Sequence, residues 1–211
     1  MRPKRLQKTV FLFLAILAAT PVMAADKPEI SVEIDEGEPK FIQKNQDISL
    51  SCKSDHAAGC MRSRFYGKMS PEWTKIKKIT ERTTKRTKIK KITFQWILKK
   101  IQLKIGLKDV EIELSTEYKK ETCGFDLVLK HELTHLALHR AVLKRFAPEI
   151  AKAVLSVAEE NMSGLSQQAQ TDRIKNVLNE YMERMKQEAA RQDALMDSTE
   201  SYGYQWKQCK Q

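Results

Sequence analysis

Three of the four histidines of this chain fall within nine residues: His131, His135 and His139. The first two belong to His131-Glu132-Leu133-Thr134-His135, an HExxH sequence. On an α-helix, positions i and i+4 lie one turn apart on one face, so two imidazoles at this spacing converge on one divalent cation. Glu132 follows the first ligand and is turned toward the same site. A zinc ion held there lowers the pKa of a bound water to about 7. Glu132 is placed to take the proton during attack and return it to a leaving amine. His139 is different: at 1.5 Å per residue it sits about 12 Å along the axis from His131. No Gly or Pro lies between Leu133 and Ala147 to break the helix, so His139 is expected on the polar face or behind the ligands.

A third metal ligand should come from later in the chain. One candidate pair is Glu159 and Glu160, 24 and 25 residues after His135. The other is the set Asp193, Asp197 and Glu200, which share one helix face at i, i+4 and i+7. Glu200 is favoured, with Asp197 next. Tyr202 follows them as a candidate donor to the oxyanion of a tetrahedral intermediate, with a packed aromatic as its alternative role.

These residues need elements to position them. From Phe125 onward the chain is apolar on most sides of a helix, which places it in a core. That helix is expected to end near Phe146, because Pro148 disfavours helix at Ala147. Pro148 then opens a second helix, Glu149 to about Asn161, stopped by Gly164, and a third runs from about Gln167 to Met196. Upstream the pattern is that of strands. Ile30, Val32 and Ile34 alternate before a turn at Gly37, and Ile48, Leu50 and Cys52 alternate again. Ser70-Pro71-Glu72 reads as a helix start, with a short helix through Trp73 and Ile76. Ile92 to Leu98 and Ile101 to Ile105 alternate as strands. Gly106 and Lys108-Asp109 then turn into a strand from Val110 to Leu114. The class is α+β: N-terminal strands forming a small sheet, then an HExxH core helix and two further helices.

The chain has 211 residues, 41% hydrophobic and 31% charged. That length suits one domain of ordinary size, and the apolar fraction excludes a wholly disordered chain. A mean hydropathy of -0.52 argues against a multi-span membrane protein. Arg2, Lys4, Arg5 and Lys8 precede an apolar run of ten residues, Val10 to Ala19, and Val22-Met23-Ala24 offers a cleavage site. Residues 1–24 therefore read as a signal peptide, too short in its apolar run to span a bilayer. The expected organisation is a leader (1–24), a strand-rich basic part (25–106) and an HExxH-containing helical part (107–211), the last two forming one domain. The protein is expected to be exported, periplasmic or secreted. Cleavage removes four basic residues and takes the net charge from +11 to +7. The four cysteines suggest two disulfides, with three pairings possible; the favoured one is Cys52–Cys60, closing a short loop, with Cys123–Cys209, tying the C-terminal tail to the start of the HExxH helix.

Residues 75–104 hold twelve Lys or Arg and one acid, Glu81. The simplest reading is a solvated face that also guards strand edges. A sharper one is a patch for an anionic envelope surface, such as lipid head groups or cell-wall polymer. Nucleic acid is not expected, because alternation assigns Phe94 and Trp96 to a core before a stacking role.

A leader, a strand, and then Cys123-Gly-Phe-Asp-Leu-Val-Leu-Lys-His131-Glu-Leu-Thr-His135 resembles the zincin metallopeptidases. More narrowly, the chain is similar to an uncharacterised bacterial family described as predicted secreted zinc-dependent proteases. Members carry HExxH and a later Tyr-Asp-x-x-Thr-x-His-Gly motif. Met196-Asp197-Ser-Thr-Glu200-Ser-Tyr202-Gly203 lies in that register; Asp197 and Gly203 match, while Met196, Glu200 and Tyr202 depart. The family histidine falls on Tyr202, leaving Glu200 as its replacement. The resemblance covers roughly residues 107–209. It implies a zincin-like fold, a zinc cofactor and a peptide or protein substrate, held by strand pairing along Val110–Thr116. The expected function is thus an exported zinc peptidase with Glu132 as general base. The alternative is a non-catalytic envelope-binding protein that uses residues 75–104 and keeps a structural or vestigial metal site.

Overall fold

In a computed structural model the described residues are 27–44, 58–83, 87–160 and 165–198, with 207 and 209. The leader, the alternation at Ile48–Cys52, and Glu200 and Tyr202 lie outside them. The elements are β1 (Glu29–Asp35), β2 (Lys40–Lys44), β3 (Gly59–Thr83), β4 (Lys88–Ser115), α1 (Cys123–Glu159) and α2 (Gln167–Met196). The class is α+β.

β3 and β4 form one long antiparallel hairpin, paired from Gly59↔Leu114 to Thr83↔Lys88. On the other side of β4, β1 and β2 lie end to end and parallel to it, against Lys100–Gly106 and Glu111–Ser115. Among the described residues the sheet is therefore three strands wide over the second half of β4 and narrows to a two-stranded ribbon toward Thr83 and Lys88. Between β1 and β2 the chain passes through Gly37 at φ 66°, where a Cβ would stand 2.7 Å from Val110 Cγ2. Only glycine suits that passage. Arg140 of α1 clamps it by donating to the carbonyls of Glu36 at 3.1 Å and Gly37 at 2.5 Å.

The strands expected at 92–98, 101–105 and 110–114 are one strand, interrupted by two register shifts rather than turns. Opposite Glu72/Trp73 and opposite Arg62/Arg64, β4 carries one extra residue. Each bulge inverts the side-chain alternation. The buried set therefore switches parity twice, from Leu98 to Ile101, Leu103, Ile105 and Leu107, and then to Val110, Ile112 and Leu114. Asp109, at φ 53°, occupies the second bulge where a turn was expected.

Two helical expectations are also corrected. Ser70-Pro71-Glu72 and the residues through Ile76 are β3, not a helix. Pro71 can sit in β3 because β3 is an edge strand, where a missing N–H breaks no ladder. The HExxH helix does not end near Phe146: α1 runs through Pro148 to Glu159. Phe146, Ala147, Ile150 and Val154 are all buried on either side of the proline, and continuous burial of that face outweighs the lost hydrogen bond. The two helices expected there are one. The helix expected from Gln167 to Met196 is α2.

α1 and α2 cover the face of the sheet that carries Leu98 to Leu114. Val128, Leu136, Val142, Leu143, Ile150 and Val154 from α1 meet Ile174, Leu178, Met182 and Met185 from α2 in that core. No helix among the described residues is long and apolar enough to cross a membrane.

Candidate metal centre

Thr122 starts α1, its hydroxyl accepting the Phe125 N–H at 3.3 Å, as an N-cap should. Next to it, Cys123 is bonded to Cys209, which fixes residue 209 at this end of the helix. Cys60 is disulfide-bonded as well; Cys52, its expected partner, lies outside the described residues. Eight residues into α1 comes His131, one helical turn before His135, and both are buried, as is Glu132.

The facing carboxylates come from the end of α2, where Asp193 of the last turn and Asp197 at the C-cap repeat the same i, i+4 spacing. The two helices form a ladder. Asp197 Oδ1 lies 3.0 Å from His131 Nε2 and 2.9 Å from His135 Nε2. Asp193 Oδ1 accepts from His135 Nδ1 at 2.8 Å, and its Oδ2 lies 2.8 Å from His139 Nε2. His139 Nδ1 in turn meets Ser63 Oγ of β3 at 2.8 Å, with Phe65 stacked on its ring. His139 thus stands behind the site, coupled to it through Asp193.

His131, His135 and Asp197 offer donor atoms within 4.8 Å of one another, a group able to hold a metal ion. A tetrahedral ion with bonds of about 2.0–2.1 Å separates its donors by about 3.3 Å. Here the two Nε2 atoms are 3.1 Å apart and the carboxylate oxygen lies 2.9–3.0 Å from each. The triangle needs only a few tenths of an ångström of expansion. Three protein donors leave a fourth position open. The carboxylate on Nδ1 of His135 is the outer contact that orients ligating imidazoles.

In the metal-free site the two carboxylates draw a proton to the place a cation would take. Burial alone would depress the His135 imidazolium, but the hydrogen bonds to Asp193 and Asp197 outweigh it and raise its pKa to about 10. Burial opposes ionisation of Asp197 and Asp193 as well. The bonds from His131 and His135, and from His135 and His139, nevertheless hold both carboxyls below the usual carboxylate range. Glu132 behaves oppositely: its burial pushes its pKa up, against the pull of His135, His131 and the Met61 N–H. Close packing causes that burial. A Cβ on Gly59 would stand 2.8 Å from Glu132 Oε1 and 2.7 Å from Val128 Cγ1, so glycine lets β3 run directly over the glutamate.

The other sequence candidates separate clearly. Asp197 stands at the histidines; Glu200 and Tyr202 lie outside the described residues. Glu159 and Glu160 are far away, because α1 does not turn back at Pro148. Glu159 sits about 36 Å along the axis from His135 at 1.5 Å per residue. Glu159 pairs with Lys27 at 3.0 Å and Glu160 with Arg173 at 2.6 Å. The strand assigned to substrate, Val110–Thr116, is also excluded from that role. Its 111–115 stretch is hydrogen-bonded to β2 on one side, and 111–114 to β3 on the other, so no edge remains for a peptide. Ser63, Gly59 and Met61 went unnoticed in the sequence, where nothing in their spacing links them to residues some seventy positions later. Asp193 carried a signal, the four-residue spacing to Asp197 that mirrors the histidines. No protein-family model, curated protein or solved structure matches the chain.

Proposed function

We propose that the protein is an exported zinc-dependent peptidase with His131, His135 and Asp197 as metal ligands and Glu132 as general base. The observation that carries this reading is the juxtaposition of two buried imidazoles and the exposed carboxylate of Asp197 around one point, with the buried carboxylate of Glu132 at the adjacent helix position. Bound zinc would supply a Lewis acid and a water nucleophile near neutral pH. The protein's own part is threefold. Asp193 fixes the ring of His135 through Nδ1, and the α1–α2 ladder holds the donors in place. Glu132, its affinity for protons raised by burial, takes a proton from the nucleophile and returns it to the leaving amine. For substrate, the edge nearest Glu132 is the outer side of β3 around Met61–Phe65; among the described residues β3 pairs only with β4. An extended peptide added there would pass over the glutamate. Disulfides persist in oxidising compartments, which supports export.

The test pairs metal content with hydrolysis of a mixed peptide library. Zinc at one per chain is expected in both wild type and Glu132→Gln. The variant should lose about 10²–10⁴-fold in rate, the span of a general base. Unchanged hydrolysis in Glu132→Gln would remove Glu132 from its role, and a chain that takes up no zinc would remove the centre altogether.

A further inference from the structure

We propose that the two-stranded half of the β3–β4 hairpin is a docking surface for anionic lipid. This assignment is independent of any activity at the metal centre. Cross-strand pairs put Lys75 with Trp96, Lys77 with Phe94, Ile79 with Ile92, Glu81 with Lys90 and Thr83 with Lys88 on one face. This face continues the core face of Leu98, but neither helix reaches it. Ile79 and Ile92 are 55% and 53% exposed, and Phe94 and Trp96, expected from alternation in a core, are instead 61% and 43% exposed because neither helix covers them. They form a contiguous apolar strip with lysines at both ends. Lys75 Nζ lies 4.5 Å above the Phe94 ring and 5.9 Å above that of Trp96. On this face stand Lys75, Lys77, Lys88 and Lys90 with one acid, Glu81, which is met by Lys90 at 3.0 Å.

Charge complementarity selects the occupant. A second copy of the ribbon would bring the same dense positive charge against itself. A nucleic acid could stack on Phe94 and Trp96, but the Ile79–Ile92 pair beside them offers it neither a flat ring nor a donor. A lipid surface uses all of it. Aromatic rings settle at head-group depth, isoleucines reach the acyl boundary, and lysines lie along the apolar strip with their ammonium groups on phosphates. The metal centre is remote from this contact: Met61 and Lys75 are fourteen residues apart on one strand, about 46 Å at 3.3 Å per residue.

The experiment uses the chain from Ala25 onward, since the apolar run of residues 10–19 would itself enter lipid and the described structure starts at residue 27. Co-sedimentation with phosphatidylcholine vesicles is compared with and without phosphatidylglycerol. Binding is expected only with the anionic lipid, with a blue shift in tryptophan emission that Trp96→Phe abolishes. It should be lost at about 1 M salt, where the screening length is about 3 Å. Replacing Lys75 and Lys77 by Gln should weaken binding about five-fold per lysine. Phe94→Ser should weaken it without moving the thermal midpoint. Equal binding to neutral and anionic vesicles would overturn the proposal, as would wild-type binding by both variants. Retention of an oligonucleotide with none of vesicles would overturn it in favour of nucleic acid.

Discussion

From Leu98 to Leu114, β4 lays buried aliphatic side chains under α1 and α2. From Ile92 to Trp96, the same face of the same strand stands open to solvent. Both halves have alternating apolar residues, and the exposed half is the more aromatic. The difference lies in what covers them. Helices of 37 and 30 residues are long enough to reach over only one half. Alternation determines which side chains share a face, and reach determines whether that face is dry. Charge balance follows the second property: 88–97 of β4 carries three lysines and no acid, whereas 98–115 carries four lysines and three acids.

Matched truncations should expose this contrast most strongly. Ile105→Ala, in the fully buried half, should cost about 2–5 kcal/mol of unfolding free energy, the usual loss for a large-to-small core change. Phe94→Ala, in the open half, should stay within about 0.5 kcal/mol, as surface substitutions do. Urea titrations of both variants measure the gap. Comparable losses would mean that the ribbon is packed against something in solution.

The legible parts of this molecule were those set by local spacing. The HExxH helix and α2 almost to the residue follow from short motifs and periodicity; the even count of cysteines predicts disulfides but leaves three pairings, of which the structure has Cys123–Cys209. What escaped depended on distant partners. Ser70-Pro71 satisfies a helix start and an edge strand equally, because proline's fixed φ near −65° suits both; only the pairing of β3 with β4 decides. Pro148 ends a solvated helix, but here a buried face on both sides carries α1 through. The two bulges of β4 look like strand breaks because each inverts the alternation. The acid facing the histidines was narrowed to the set Asp193, Asp197 and Glu200, with Glu200 ahead of Asp197; that Asp197 stands at both rings depends on how the end of α2 docks on α1, which spacing along one helix does not encode.

Within the metal-centre half, the ladder can be tested by its two rungs. Asp197→Ala removes a donor, whereas Asp193→Asn leaves the donors and loosens the ring of His135. Removing an outer-shell partner of this kind typically costs 10–100-fold in metal affinity, so Asp193→Asn is expected in that range and Asp197→Ala beyond it. Competition with a chelator of known affinity measures both. Equal affinities in the two variants would place Asp197 outside the ligand set and return the third position to Glu200.

The last expected effect is a pH dependence present in the metal-free protein and removed by metal. In the metal-free protein the His135 pKa is raised from 6.5 to about 10 by Asp193 and Asp197. A raised folded-state pKa stabilises fully below the unfolded value and is lost as pH rises through the folded one. The thermal midpoint of metal-free protein should therefore decline from about pH 6.5 toward pH 10. Asp193 and Asp197 add no slope there, since their carboxyls are held below the ordinary carboxylate range and are ionised throughout. Zinc requires a neutral imidazole and displaces that proton, so its stabilisation grows with pH over the same window. The separation between the metal-bound and metal-free midpoints should widen from pH 6.5 to 9, while the lysine-rich half contributes equally to both curves and cancels. A constant separation would mean that His135 is already neutral between its two aspartates, and the ladder would then be held by neutral hydrogen bonds rather than by a charged imidazole.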